Sequence, residues 1–522
     1  MEFKSILYAD TNPEINKIAP AFFQDLQLDY LLGLIERSAK DYDIRQYYYS
    51  FPGSVDLIKY RQNVFSDLSN VQLKTAIKTF CLTMQKSRAA LDLCNQSEGA
   101  VQSASFYIEA ADLYWHAVTS FLNDLSECSL SADGFTLLVK HLEKHIHDLR
   151  EAGFEQAILS ANDFFASKRF KLHIDNEYVT ITEAADEENN EEDSDKDADL
   201  STSRNYLKDL ASLLSFGAEE EDFTVNDIFP NILEPSYMES VLMNTLMKNN
   251  KALFKDIRSF QSKFPDYQSK LILNFEKEVQ FYISFIEFKE KTQALGYPFC
   301  TANISDTGCF SGSDVYDLAL VWKNSSSDYN VVSNNFKYNG SASFFVVTGP
   351  NQGGKTTFAR SLGQAVYFSM MGLYTNASSI SLPLFNGIMT HFEAEEVLQS
   401  NSGKLKEELN RLAPMMKQEK RNSFVILNEL FTTATTHDAL IMGRKVMEHF
   451  LSRDCYGIYV THIQELAEET DSIISLVAQL EDGSNHKRTF RMINAKAQGY
   501  GYSDYLVSEF NLNYEDIIRR LS

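Results

Sequence analysis

The strongest constraint on the fold of this chain is a glycine-rich segment that lies between two regularly patterned stretches. Residues 348–357 read TGPNQGGKTT, and this fits the pattern G-x-x-x-x-G-K-[ST] from Gly349 to Thr356. An apolar run at residues 344–347 precedes the segment, and a helical pattern over residues 358–370 follows it. In that order, backbone N–H groups and a helix N-terminus can surround a phosphate chain. The segment therefore predicts a nucleoside triphosphate site rather than a glycine-rich surface turn.

Within this segment, two side chains have specific expected roles. Lys355 supplies a positive charge for the β and γ phosphates, and the Thr356 hydroxyl is placed to bind Mg²⁺. The expected nucleotide-binding residues are Gly349, Pro350, Asn351, Gly353, Gly354, Lys355, Thr356 and Thr357.

Polar residues follow two further apolar runs downstream. Residues 424–427 lead into Asn428 and Glu429, and residues 457–460 lead into Thr461 and His462. Glu429 could orient or deprotonate the water that attacks the γ-phosphate, and His462 would lie near the phosphates at a strand's carboxyl end. We therefore predict Glu429 and His462 as catalytic. The alternatives are an ordinary buried strand that ends in a turn and a structural histidine.

The expected metal ligands are Thr356, Asn428 and Glu429. Asn428 stands where an aspartate would normally help to hold Mg²⁺. An asparagine offers a carbonyl oxygen without charge, so it is a poorer ligand for a hard cation.

The chain changes character near residue 295. Before it, apolar residues recur at helical spacing, interrupted by a period-two segment at residues 170–181 that predicts a β-hairpin. After it, apolar runs at residues 319–322, 344–347, 424–427, 457–460 and 473–476 predict strands, several separated by helical patterns. We therefore expect a helical domain over residues 1–295 and an α/β domain with a mostly parallel sheet over residues 296–522.

The charge of the chain argues against a general nucleic-acid binder. The 522 residues have 48 basic and 72 acidic side chains, a net charge of −24. Residues 183–199 alone hold ten acidic residues and one lysine, which predicts a disordered, solvated insert within about residues 170–204; an interaction tail is the alternative. DNA binding would need a local basic surface, such as one near Lys168, Arg169 and Lys171.

Other sequence features favour a cytoplasmic protein. No secretory signal, membrane-spanning apolar run or paired cysteine motif is visible, and the six cysteines are scattered. We expect reduced thiols, with neither a disulfide framework nor a zinc site.

Taken together, these motifs resemble the MutS family of DNA mismatch-repair ATPases over residues 296–522. The resemblance rests on the glycine segment, the strand that ends in Glu429, the threonine-rich loop at residues 430–440 and the Thr-His strand end. It also includes residues 400–405, which resemble a signature segment, and residues 499–502, which resemble a Ser-Tyr-Gly segment that leads into dimer-forming helices.

This resemblance implies a helical lever-type region followed by an ABC-type P-loop NTPase domain. It implies ATP and Mg²⁺ as cofactors, a homodimer, and contacts to ATP from Ser402 of the opposite subunit and from Asp438. The usual Gly-Arg-Gly after the strand is absent. We also expect this chain to lack the family's N-terminal mismatch-reading and connector domains and a C-terminal nuclease-like extension.

Two functions remain open at this point. The first is an ATP-hydrolysing dimer that couples nucleotide state to DNA binding, in mismatch repair or recombination. The second is a catalytically weak, nucleotide-gated switch that binds a protein partner through its helices or the acidic insert and does not read mismatches.

Overall fold

The computed structural model describes two compact units. It covers residues 2–10, 16–97, 100–167, 169–175, 178–183, 222–224, 255, 259–304, 309–327, 329–338, 343–392, 403–418, 420–481, 488–497 and 514–521. The helical unit comprises Met1–Glu2, Asn70–Leu130 and Thr136–Glu276. The α/β unit comprises Phe3–Ser69, Ser131–Phe135 and Lys277–Ser522.

Helices occupy much of the described chain. They are α1 (Phe22–Asp25), α2 (Leu28–Ile35), α3 (Val55–Asp67), α4 (Val71–Gln96), α5 (Ala100–Ser126), α6 (Asp133–Glu151), α7 (Phe154–Ser167), α8 (Lys270–Ala294), α9 (Leu318–Lys323), α10 (Lys355–Met370), α11 (Lys404–Gln418), α12 (Thr436–Leu451) and α13 (Tyr514–Leu521).

Most of the strands follow α8. In chain order they are β1 (Arg169–Asp175), β2 (Tyr178–Glu183), β3 (Asp222–Thr224), β4 (Cys300–Thr301), β5 (Asn303–Ile304), β6 (Ser311–Val315), β7 (Asn334–Lys337), β8 (Phe344–Thr348), β9 (Tyr374–Thr375), β10 (Ser379–Leu382), β11 (Ile388–His391), β12 (Phe424–Asn428), β13 (Tyr456–Val460), β14 (Ile473–Leu480) and β15 (Arg488–Asn494).

The helical unit is built around the long pair α4 and α5. The Asn70 side chain caps α4 by accepting a hydrogen bond from the Gln72 N–H, and apolar residues at spacings of three and four then fill one face of the helix. On that face the Phe80 ring stacks on Phe121, with the ring centroids 4.5 Å apart. Burial of these aromatic rings is the main source of stability for a helix pair of this kind.

The predicted β-hairpin is present in the helical unit as part of a three-stranded antiparallel sheet. Its strand order is β2-β1-β3, and Leu172 pairs with Ile181. Arg169 and Lys171 both belong to β1. Lys168 and the acidic block after Glu183 lie outside the described residues.

The α/β unit contains the predicted mostly parallel sheet. Its strand order is β11-β12-β13-β8-β14-β15, in which neighbours are parallel except for the antiparallel pair of β14 and β15. Every residue of β8 and β12 is buried because helices cover both faces. On one face of the sheet, α11 and α12 pack into a single apolar core. On the other face, α10 lies so close to β12 that a Cβ at Gly363 would clash with the Ile426 side chain. Smaller sheets have the strand orders β5-β10-β6-β7 and β4-β9.

One strand prediction is wrong. Residues 319–322 lie in the short helix α9, not in a strand. The Asp317 carboxylate caps this helix by accepting a hydrogen bond from Leu320 N at 3.1 Å, and it also pairs with Arg360 of α10 at 3.1 Å. A run of four apolar residues fits a buried helix as well as a strand, and here the capping aspartate decides between them.

The compact units divide the chain differently from the expected boundary at residue 295. Phe3–Ser69 belongs to the same unit as the sheets, held there by buried polar groups. The guanidinium of Arg61, which has no exposed surface, donates to the carbonyl of Leu7 at 3.0 Å and to that of Met371 at 2.9 Å. The Glu278 carboxylate accepts from the Ser5 hydroxyl at 2.7 Å. Hydrophobic periodicity carries no information on such long-range contacts.

All six cysteines are free thiols. None of the helices in the described ranges combines the length and the apolar character needed to cross a membrane.

We predict that the helical unit loses stability in mild acid through His145. Burial, with a smaller contribution from His141, lowers the pKa of His145 to about 4, and its Nε2 lies 2.9 Å from the Tyr114 hydroxyl. Unfolded chains take up this proton near pH ~6.5, so the free energy of unfolding should fall as pH falls from about 6.5 to about 4. His145→Gln, which cannot titrate, should reduce this slope in urea unfolding followed across that range. A slope equal to that of the wild type would contradict the prediction.

Candidate nucleotide-binding site

The glycine loop, residues 349–354, leaves the sheet at the carboxyl end of β8. Since β8 pairs in parallel with β13 and β14, the loop emerges between the ends of its two neighbours. Gly349 and Gly354 have φ angles of 123° and 89°, in the region that disfavours other residues. A Cβ at Gly349 would lie 3.0 Å from the backbone nitrogen of Ala478. The glycines are therefore needed for the path of the loop, which ends where α10 begins.

Lys355, the first residue of α10, points back into the glycine loop. Its side chain is buried, and Nζ donates hydrogen bonds to the carbonyls of Gly349 and Pro350, each at 3.0 Å. Burial lowers the pKa of Lys355, while the charge of the nearby Glu429 opposes that shift. An ammonium held in this position can exchange its carbonyl partners for the oxygens of a bound phosphate group.

Thr356 and Asn428 bring two oxygen atoms together beside the loop. The Thr356 hydroxyl donates to the Asn428 Oδ1 at 2.9 Å, and Asn428 is the last residue of β12. Hydroxyl and amide oxygens fit the hard cation Mg²⁺, but neither carries charge. Among the described residues there is no group of three or more His, Cys, Asp or Glu side chains that could hold a metal by itself. The residues therefore fit Mg²⁺ as a partner of nucleotide phosphates, not as an independent metal site.

Glu429 and His462 are brought together at the ends of β12 and β13. Glu429 adopts a left-handed backbone (φ 54°), and its N–H donates to the Val460 carbonyl at 2.8 Å. His462 Nε2 lies 3.2 Å from Glu429 Oε1. The hydrogen bond to His462 lowers the pKa of Glu429 against the effect of burial, with help from the charges of His462 and Lys355. The site thus presents an ionised carboxylate next to the buried lysine.

The cleft beside the loop includes residues that the sequence did not reveal. The Tyr329 and Phe490 rings meet edge to face, with centroids 6.5 Å apart. Asn334 fixes this wall, because its side chain donates to the Phe490 carbonyl at 3.1 Å and accepts from Met492 N at 2.7 Å. The described lining residues outside the predicted set include Asp317, Leu320, Tyr329, Val331, Val332, Asn334, Gln352 and Phe490. Apart from Gln352, which lies in the glycine loop, they come from separate parts of the chain and share no motif.

The predicted residues differ in their relation to the cleft. Asn351, Gly353, Gly354, Lys355, Thr356, Thr357 and Glu429 line it. Gly349 and Pro350 belong to the loop and accept the hydrogen bonds from Lys355. Asn428 and His462 are bonded to the lining residues Thr356 and Glu429, respectively. Asp438 is outside the cleft of its own chain, where its carboxylate accepts from the Thr435 hydroxyl at 2.7 Å at the start of α12. Ser402 and residues 499–502 lie outside the described residues.

Removal of the buried ammonium tests this site. Lys355→Ala should weaken nucleotide binding at least tenfold, about the loss expected for a charged hydrogen-bonding group. Binding of a fluorescent nucleotide, titrated against the wild type, measures the change. Lys445→Ala, which removes an exposed lysine of α12, is the matched control and should bind as the wild type does. If Lys355→Ala bound nucleotide with the affinity of the wild type, the assignment of this cleft as the nucleotide site would be wrong.

Comparison with known proteins gives one family for this part of the chain. The family model of MutS domain V matches residues 345–509. DNA mismatch repair protein MutS of Thermotoga neapolitana is 29% identical over 163 residues, which cover 30% of this chain and 20% of that protein. The MutS protein of Thermotoga petrophila is 30% identical over 139 residues, 27% of this chain and 18% of that protein.

The MutS protein of Streptococcus pyogenes serotype M1 is similar to the same degree. It is 29% identical over 147 residues, which cover 28% of this chain and 17% of that protein. The chain thus spans about a fifth of the length of the relatives it matches. Residues 345–509 match the family model of MutS domain V, and the resemblance to the MutS family is confirmed on that part of the chain.

Proposed function

We propose that this protein is a MutS-like ATPase that acts as a dimer and couples its nucleotide state to DNA binding. The observation that carries the proposal is the meeting of Lys355, Thr356 and Glu429 in one cleft, at the carboxyl edge of a parallel sheet. Ligands of α/β sheets bind at this edge, and these three residues lie within the MutS domain V match.

Nucleotide binding follows from the chemistry of the cleft. The backbone of the glycine loop and the N-terminus of α10 favour a polyphosphate, and Lys355 adds a positive charge at the β and γ positions. Tyr329 and Phe490, which line the same cleft, offer aromatic surface to a base. These features support ATP as the ligand, in agreement with the family resemblance.

Hydrolysis would depend on Glu429. Its carboxylate is ionised and is held in place by His462, so it can orient the attacking water and accept its proton. Thr356 and Asn428 would hold Mg²⁺ against the phosphates. When bound, the ion would neutralise charge that develops on the transferred phosphoryl group.

Dimerisation and DNA contact are proposed from the family resemblance. Ser402 of a second copy would meet the γ-phosphate, and Asp438 would approach the site from its position at the start of α12. For DNA, strand β1 contributes the basic residues Arg169 and Lys171. A local basic face is required, because the net charge of −24 repels a polyanion.

A second function is favoured by Asn428. With a neutral amide in place of a carboxylate, the site binds Mg²⁺ more weakly, and turnover would be slow. The protein would then be a nucleotide-gated switch that changes its protein contacts without reading mismatches.

Substitutions at the end of β12 separate the two functions. In the ATPase, Glu429→Gln should lower the steady-state rate at least tenfold and leave ATP affinity unchanged, since general-base groups contribute about 10²–10⁴-fold. Asn428→Asp restores the charge and should raise the rate at low Mg²⁺. Negligible turnover that Glu429→Gln does not alter, with dimerisation still driven by nucleotide, would favour the switch instead.

Affinity for DNA is expected to depend on ATP. A panel of homoduplex, mismatch and junction DNA, titrated with and without ATP over a range of salt concentrations, should show ATP-dependent binding that weakens with salt. Arg169→Ala with Lys171→Ala should weaken binding to every substrate and reduce the salt dependence, because phosphate contacts carry no sequence information. Lack of ATP-dependent binding to any of these DNAs at low salt would contradict DNA coupling.

A further inference from the structure

Helix α11 contacts the loop that follows β12, the strand that leads into Glu429. Glu408, in the second turn of α11, accepts a hydrogen bond at its Oε1 from the backbone N–H of Phe431 at 2.7 Å. Three residues further along the helix, Arg411 Nη2 donates to the Phe392 carbonyl, just beyond β11, at 3.0 Å. The helix is therefore bonded to the backbone after each of two adjacent strands, β11 and β12.

The turn that receives Glu408 is strained. Glu429 and Phe431 have φ angles of 54° and 63°, and such values are rare for bulky side chains. Leu430 and Phe431 are nevertheless buried, in the same apolar core as Leu412 of α11. A strained backbone persists only where its surroundings hold it, and the carboxylate of Glu408 is one of the groups that hold this turn.

This contact has a mechanical consequence. The Phe431 N–H lies two residues after Glu429, and its acceptor is on a different element of the fold. A displacement of α11 must either break the hydrogen bond from Phe431 or move the turn that orients the Glu429 carboxylate. Breaking the bond would leave the N–H of the buried residue Phe431 without its carboxylate acceptor, so it is the costlier outcome.

We propose that Glu408 is a positioning residue that couples α11 to the catalytic carboxylate of Glu429. This inference rests on the proposed function, and it names how the site would be regulated. Glu429 lines the cleft, so nucleotide bound there would act first on the turn that holds Glu429 and Phe431. Glu408 passes the change from this turn to α11, and by the same bond the position of α11 sets the orientation of the Glu429 carboxylate.

Hydrogen exchange of the full chain, read by mass spectrometry, tests the coupling. Without nucleotide, Glu408→Ala should raise exchange of the Phe431 amide by at least about tenfold, since that amide loses a charged acceptor. Glu408→Gln retains an oxygen acceptor and should restore most of the protection. Lys406→Ala, at an exposed position of the same helix, is the control and should resemble the wild type. Glu408→Met keeps the side-chain volume without an acceptor and replaces the alanine variant if that variant does not fold.

The decisive readout is the response of α11 to nucleotide. In the wild type and in Glu408→Gln, saturating ATP should slow exchange both in residues 404–418 and in residues 429–434. In Glu408→Ala the response of residues 404–418 should be lost, while the Kd for ATP stays within about twofold of the wild type, since Glu408 does not line the cleft.

The outcomes separate this inference from the proposed function. Normal ATP affinity together with a wild-type response of α11 in Glu408→Ala would overturn the coupling alone. An unchanged Phe431 amide in that variant would also overturn it. A wild-type chain that does not bind ATP would overturn the proposed function, and the Kd measurement reports this result directly.

Discussion

The parallel pairing of β8 with β13, and of β13 with β12, is the constraint on which the site depends. It brings the carboxyl ends of three strands to one edge of the sheet, where the glycine loop, Glu429 and His462 follow the strands in turn. The hydrogen bond from Thr356 to Asn428 then ties α10 to the end of β12 at 2.9 Å. Without this register, residues more than seventy positions apart in the chain would not share a cleft.

The sequence predicted those parts of the site that local patterns encode. A glycine-rich loop between a strand and a helix is a local sequence pattern that is typical of phosphate-binding sites. Polar residues at the ends of the buried strands, such as Asn428 and Thr461, are expected at the carboxyl edge of a parallel sheet. Tyr329, Asn334 and Phe490 could not be found in this way, because only the tertiary fold brings them to the loop. The helix α9 was missed for a related reason, since its cap Asp317 is fixed by Arg360 from a distant helix.

The charges in the cleft differ from the net charge of the whole chain. Lys355 is a buried cation in a strongly acidic chain, and the ionised Glu429 is the charge that supports it. Thr356 and Asn428 add oxygen atoms but no negative charge, so the phosphates themselves must supply the attraction for a divalent ion. This lack of negative charge is why we propose a gated switch beside the ATPase as a second function.

The central claim is that the cleft beside Lys355 binds ATP. Isothermal titration of ATP into the purified full chain, once with Mg²⁺ and once with EDTA, tests it most directly. The account predicts one saturable site per chain in Mg²⁺, and weaker binding to the same single site in EDTA, because Thr356 and Asn428 hold the ion only together with the phosphates. Titrations that show no saturable heat of binding under either condition would contradict it.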